Sequence, residues 1–413
     1  YVSRMGAAEY SVPCTESGQT DCLPQEAVPL SREDDEVLAL ALRLDRHIGD
    51  TSFFTIEGGS STSEGPLVQT GIGRVQLVDA DRPWGRFNYF HPRWNVLATY
   101  NHRDAPQQTA LSSGTNLVLD STNYGLEVQG NWEFDDGDAR LVLGASFSNE
   151  EIDTLDPNTG RQTLMFEPVD IDQSAGFGQF DWRASDKLRL VLAGRYDESD
   201  LHDSQFSPKA ALVYSANSRN TFRLTYNEAF QVPNYSEFFL SANAALPADL
   251  SVLNQLVCAP FGLDCGLGVT PILALGNAGL EVEEVRSYEI GYNGIFGGST
   301  LFTFDYWVAE SDNFITDLIP QLGTTLGRVN PDFGPWEAPA GIPDAIEATI
   351  RQLAPPILSN NFDGSNILAA VSYTNFGEVD TQGIDLGLTT QFSHGFTFDF
   401  TYSWFDFDVK EDL

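Results

Sequence analysis

Five histidines, four cysteines and several acid clusters are the residues of this chain whose types could do chemistry. His47, His91, His102, His202 and His394 show no H-E-x-x-H and no other metal-ligand spacing. No G-x-S-x-G elbow offers an activated serine. Asp79/Asp81, Asp135/Asp136/Asp138 and Asp170/Asp172 carry the oxygen ligands that calcium takes, although such clusters are more often solvated turns. The reading is a non-enzyme, with no catalytic residue, metal set or cofactor assigned. The cysteines fall in two local pairs, Cys14/Cys22 and Cys258/Cys265, without the second pair or histidines of a zinc site. Two loop-stapling disulfides are expected, in an oxidising compartment outside the cytoplasm.

The elements that would position such groups are strands. In "FTFDFTYSW" the residues Phe396, Phe398, Phe400, Tyr402 and Trp404 share one face, and Thr397, Asp399, Thr401 and Ser403 share the other. The alternation recurs in "LALALRLD" from Leu38, "YGLEVQGNWEF" from Tyr124, "LRLVLAGRY" from Leu188, "FRLTYNEAF" from Phe222 and "LFTFDYWV" from Leu301. A soluble sandwich would turn the apolar face to a core. An outer-membrane barrel would turn it to lipid and keep the polar face for the lumen. The runs exceed the ~5–6 residues of an ordinary strand and approach the ~9–11 of a tilted membrane strand.

The connections favour the barrel. Tight turns are expected at 47–50, 135–138, 185–187, 217–220, 297–299 and 393–395. Long connections are expected at 104–121, 154–171, 231–284 and 313–376. Short and long alternate along the chain, as in bacterial outer-membrane barrels. The segment 61–93 is less regular and reads as a strand, a wide turn and the start of another strand. The count is about 14 strands in an all-β, antiparallel, up-and-down transmembrane barrel with long extracellular loops. No apolar run reaches the ~20 residues of a membrane helix.

The chain has 413 residues, with 59 acidic and 22 Lys/Arg side chains and a formal charge of −37. That balance argues against nucleic acid, whose phosphates need basic patches. The long loops, in contrast, are apolar and poor in charge. Helical turns are expected at 236–245 and 249–257. A short helix is expected over "DAIEATIRQL", with Asp344 as N-cap and Ile346, Ile350 and Leu353 on one face.

Three stretches carry a family likeness. Ser207, Pro208, Ala211 and Tyr214 lead by a hairpin into Arg223, Tyr226, Ala229, Phe230 and Pro233. Asn277, Leu280, Glu283, Ser287, Tyr288, Glu289 and Gly291 form a second element, and Tyr373, Asn375, Gly383, Ile384 and Asp385 a third. Their order and spacing resemble TonB-dependent outer-membrane receptors. The resemblance implies that residues 1–413 are part of a 22-stranded barrel domain, with the plug domain and the barrel ends missing from this stretch. It further implies a bacterial outer-membrane location among lipid and lipopolysaccharide. A TonB complex would be reached through the plug, and the cargo would be a scarce nutrient such as a ferric siderophore, cobalamin or glycan.

Three classes of function follow: an energised receptor, a passive porin or structural barrel, and a secreted soluble all-β binding protein. The motif series favours the receptor. The candidate ligand contacts are loop aromatics, Tyr235, Phe238, Phe239, Phe261, Phe314, Phe333 and Trp336, with Arg328 and Arg351 as anchors for an anionic cargo. Loop packing is the competing role for the aromatics. The loops 231–284 and 313–376 are expected to supply most of the binding surface.

Overall fold

The computed structural model describes residues 2–6, 28–32, 34–321, 334–353, 358–360 and 365–410. Fourteen long strands follow one another in a single antiparallel sheet, each paired with its neighbours in sequence order. They are β1 (Asp34–Ile48), β2 (Ser52–Glu64), β3 (Gly73–His91), β4 (Trp94–Ala110), β5 (Leu119–Phe134), β6 (Ala139–Asp153) and β7 (Val169–Ser185). Then come β8 (Leu188–Ser199), β9 (Gln205–Asn217), β10 (Asn220–Gln231), β11 (Glu283–Phe296), β12 (Thr300–Ile315), β13 (Asn375–Gln391) and β14 (Thr397–Lys410). The short strands Val2–Gly6, on β1, and Leu67–Thr70, on β3, complete the sheet. This is the expected up-and-down order and number.

Turn lengths keep the expected parity. One end of the sheet is closed by turns at 49–51, 92–93, 135–138, 186–187, 218–219, 297–299 and 392–396. The other end carries 65–72, 111–118, 154–168, 200–204 and the two large connections 232–282 and 316–374. At 297–299 the backbone reverses through Gly297 and Gly298, both at positive φ, where a Cβ would be strained.

Two expectations need correction here. Residues 73–91 hold no wide turn: they form one strand of 19 residues, with register shifts between Leu77 and Asp81. The irregular stretch around Asp79 and Asp81 is absorbed by bulges in the pairing with β4. Likewise β4 continues to Ala110, so the connection predicted over 104–121 is only 111–118.

The aromatic parity is a property of the whole sheet. Tyr402 lies opposite Leu386, which lies opposite Phe304, then Tyr292, Phe222 and Tyr214. One apolar row thus crosses six strands, with the Phe222 and Tyr292 rings 4.9 Å apart. Leu40 and Leu42 on the same face are 77% and 80% exposed. No soluble protein gains by exposing so continuous an apolar wall, whereas lipid covers it. The outer apolar face of β14 runs from Phe398 to Trp404 and gives way to Asp406 and Asp408.

The large connections fold together into one lid. Strands Ser241–Asp249, Val269–Leu275, Ala369–Ser372 and Ile319–Gln321 make a four-stranded sheet. Its central pair, Val269–Leu275 with Ala369–Ser372, is parallel and joins the two connections. Helices α1 (Tyr235–Phe239), α2 (Ser251–Val257) and α3 (Asp344–Leu353) flank it. Residues 241–245, expected to be helical, are therefore part of the strand Ser241–Asp249. Their alanines favour helix locally, but pairing with Val269–Leu275 overrides that weak preference. In α3, Ile346 and Ile350 are buried as expected, while Leu353 is exposed. Asp344 is the first helical residue, not the cap; the Pro343 carbonyl accepts the opening bond from Glu347 N–H.

Orientation of the wall can be tested at Phe400 and Thr401. Phe400→Arg should cost ~2–4 kcal/mol in a lipid folding assay, while Thr401→Arg on the lumen face should cost under ~1 kcal/mol. Equal costs would refute the assignment of the two faces.

Candidate functional site

The inner face of the sheet is a wall of paired charges. Arg43 bonds Asp45 at 2.8 Å, and Arg43 and Arg86 both reach Glu57, at 3.4 and 3.0 Å. Arg189 pairs with Asp181, and Arg195 with Asp197 at 2.8 Å. Arg223 pairs with Glu289 and also meets Asp305 at 3.0 Å. Trp307 Nε1 donates to Asp385, which also accepts from Ser403. Each of these guanidiniums is thus neutralised in place by a charge-assisted bond.

The tops of β3 and β4 differ. Arg82 and Arg103 are neighbours on the inner face, and neither has a carboxylate partner among the described residues. Arg103 donates from Nη2 to Gln108 Oε1 at 2.5 Å, while its Nε is buried without a hydrogen-bond partner. Gln108 is buried and held by a bond from Nε2 to the Leu117 carbonyl. The two arginines face a cavity of about 260 Å³, walled mainly by Val75, Leu77, Leu117, Leu164 and Leu240, with Ser236 and Tyr373 adding hydroxyls. Apolar walls with a few convergent polar groups are what small-ligand sites look like.

The lid closes this cavity. Phe238, Leu240, Ala242, Ala274, Leu280 and Tyr373 pack onto Val75, Ala110 and Leu117 of the barrel wall. Asn243 Nδ2 donates to Thr115 Oγ1 across the same seam, at 3.0 Å. At the lid's base Asn375 ties both connections together. Its Nδ2 donates to the carbonyls of Glu281 and Asn313, and its Oδ1 accepts Glu281 N–H. Burial pushes the Tyr373 phenol up to about 12, with Glu237 and Asp317 adding to the effect. Tyr373 is therefore a neutral donor at any physiological pH.

The predicted contacts are placed as follows. Phe238, 2% exposed, lies in the lid–wall core, with Phe239 against it and against Phe166. Tyr235 is half-buried on α1, and burial beside Glu150 raises its phenol to about 12. Trp336, also 2% exposed, fills a second lid core with Cys258, Cys265 and Ile350, and donates from Nε1 to Asn366. Phe261 is 70% exposed beside that disulfide. Phe314 lines an apolar recess with Phe376, Val379 and Phe407. Arg351 pairs with Glu347 one helical turn away. Cys258–Cys265 is bonded as expected. Cys14, Cys22, Arg328 and Phe333 lie outside the described residues.

The sequence reading passed over Arg82, Arg103, Gln108 and Tyr373. A signal existed. Arg82 precedes Pro83, and Arg103 comes shortly before Pro106, so both stand where a strand irregularity re-aims side chains. Among the described residues, the one carboxylate group close enough to hold a cation is Glu310, Glu378 and Asp380, and Lys410 already contacts the last two. The clusters weighed for calcium are not of this kind.

Comparison with known proteins gives the family. The description "TonB dependent receptor-like, beta-barrel" matches residues 34–412, and the chain belongs to that family of bacterial outer-membrane proteins. No curated protein matches. Among solved structures, the siderophore receptor PirA from Pseudomonas aeruginosa is similar at 14% identity and TM-score 0.59, over 91% of this chain and 57% of that one. A mutant of the ferric enterobactin receptor PfeA from the same organism matches at 14% and 0.59, over 94% and 53%. PirA from Acinetobacter baumannii matches at 14% and 0.56, over 93% and 54%. The chain thus spans little more than half the length of these receptors. At such identities the likeness concerns the fold.

Two measurements probe the lid. Cys258 and Cys265 are seven residues apart, so replacing both with serine should cost the lid about 2–3 kcal/mol. Limited proteolysis should then cut within 232–282 while the barrel stays intact; unchanged protection would refute a stapling role. In alkaline titration, lid stability should be flat to about pH 10, the free phenol value, and fall as pH rises through about 12, where Tyr235 and Tyr373 ionise. Loss already complete below pH 10 would exclude these two groups as the cause.

Proposed function

We propose that this protein captures a small, scarce nutrient at its extracellular mouth and passes it inward with energy delivered by TonB. The observation that carries this reading is the lid. Two long connections fold into one body that packs on the upper wall and leaves a cavity lined by Arg82, Arg103 and Tyr373. A passive porin has no use for a packed lid over its mouth, and a soluble binding protein has no use for an apolar outer wall. Ferric siderophores head the candidate cargoes, since the solved neighbours are described as siderophore receptors; cobalamin and glycans are the other classes. The plug through which TonB acts, and contacts with lipopolysaccharide, belong to the same proposal. So does a ligand role for Tyr235, Phe238, Phe239, Phe261, Phe314, Phe333, Trp336, Arg328 and Arg351, of which Tyr235, Phe238 and Phe239 belong to α1, the helix whose Ser236 lines the Arg82–Arg103 cavity.

The test locks the lid. Cysteines at Thr115 and Asn243, whose side chains meet across the seam, should cross-link when oxidised. Growth of a receptor-dependent strain under iron limitation, on a panel of ferric siderophores, should then stop and resume on mild reduction. It should also fail in a strain lacking TonB. Growth with the lid locked would overturn entry beneath the lid, and growth without TonB would favour the porin.

A further inference from the structure

We propose that the Arg82–Arg103 cavity is a subsite for a compact anionic group on an apolar body, an aryl carboxylate or its short alkyl counterpart. The proposal rests on the mouth being a ligand-capture site and names the chemistry that enters it.

The chain carries 59 acids against 22 Lys/Arg residues, and several arginines of the inner wall are paired with acids. Arg43, Arg86, Arg189, Arg195 and Arg223 on the same inner wall all have carboxylates. Arg82 and Arg103 have each other instead. Placing like charges side by side under an apolar roof is unfavourable, the more so as Arg103 Nε is buried without a partner. A bound anion removes that penalty by accepting from both guanidiniums, and charge-assisted bonds of this type are strong.

The walls set the rest of the ligand. The eight aliphatic side chains around the arginines suit an apolar body and cannot solvate a second negative charge. A dianion such as inorganic phosphate is therefore disfavoured relative to a monoanionic carboxylate. The volume of about 260 Å³ admits one ring or short chain, not a whole chelate. It would hold one arm of a larger ligand. Ser236, Gln108 and the neutral Tyr373 phenol add to the polar complement, and among the described residues no acid side chain lines the cavity to repel the anion.

The experiment measures binding to the purified full-length protein in detergent by calorimetry, with benzoate, its neutral counterpart benzamide, and inorganic phosphate. Benzoate should bind, and benzamide and phosphate should each bind at least about tenfold more weakly. Arg103→Gln should weaken benzoate by about tenfold or more, a loss typical for one charge-assisted bond. Arg82→Lys, which keeps the charge and the fold but loses the fork, should weaken it by a smaller factor. Arg103→Gln should also raise the melting temperature of the ligand-free protein, because it removes an uncompensated charge; a merely structural arginine would lower it. Benzamide or phosphate binding as well as benzoate, or benzoate binding unchanged in Arg103→Gln, would overturn the subsite. Transport is not measured here, so loss of the subsite and loss of the transport reading are separate outcomes: binding intact with TonB-independent growth would sink only the latter.

Discussion

Inside a bilayer no water is available to the peptide groups, so each strand that crosses must give its N–H and C=O groups to neighbouring strands. That constraint governs the whole molecule. It makes the sheet antiparallel and sequential, because the cheapest neighbour for a strand is the next one along the chain. It sorts the connections into short turns at one end and elaborate ones at the other. It also frees the side chains from holding the sheet together. They can sort by face, aromatic and aliphatic toward lipid, charged and hydroxylic toward the lumen.

Above the membrane the constraint relaxes and packing takes over. β3 and β4 run on past the apolar rows, and their upper halves become a platform of Val75, Leu77 and Ala110. The lid uses that platform as the floor of its core. Its central strands come from both large connections and pair in parallel, so the two fold against each other. Asn375 fixes the two at their common base. The lid is thus a small domain built from insertions, with its own core around Trp336 and Ile350 and its own disulfide.

Electrostatics follows the same division. Over most of the inner wall, acids outnumber and neutralise arginines. Under the lid two arginines meet with no acid beside them among the described residues. Partial burial, complete at Arg103 Nε, strengthens their repulsion and makes an incoming anion correspondingly welcome.

How much of this was written in the sequence depends on the range of the interactions concerned. The lipid-facing parity of residues such as Leu38–Leu44 and Phe396–Trp404, the strand number and the turn parity were legible, because a period of two and a tight turn are local properties. The Cys258–Cys265 bond and the helix at 344–353 were legible for the same reason. The strand at 241–249 was not: its partner lies at 269–275, and the parallel strand beyond that at 369–372, so no local window contains the bonds that outweigh its alanines. Region 61–93 was not legible because the pairing of β3 with β4 shifts register within it, which no local pattern shows. The arginine pair was hidden most completely. Arg82 and Arg103 are ordinary strand residues in the sequence, and only the register of β3 on β4 and the lid folded over them bring the two charges together on one cavity wall.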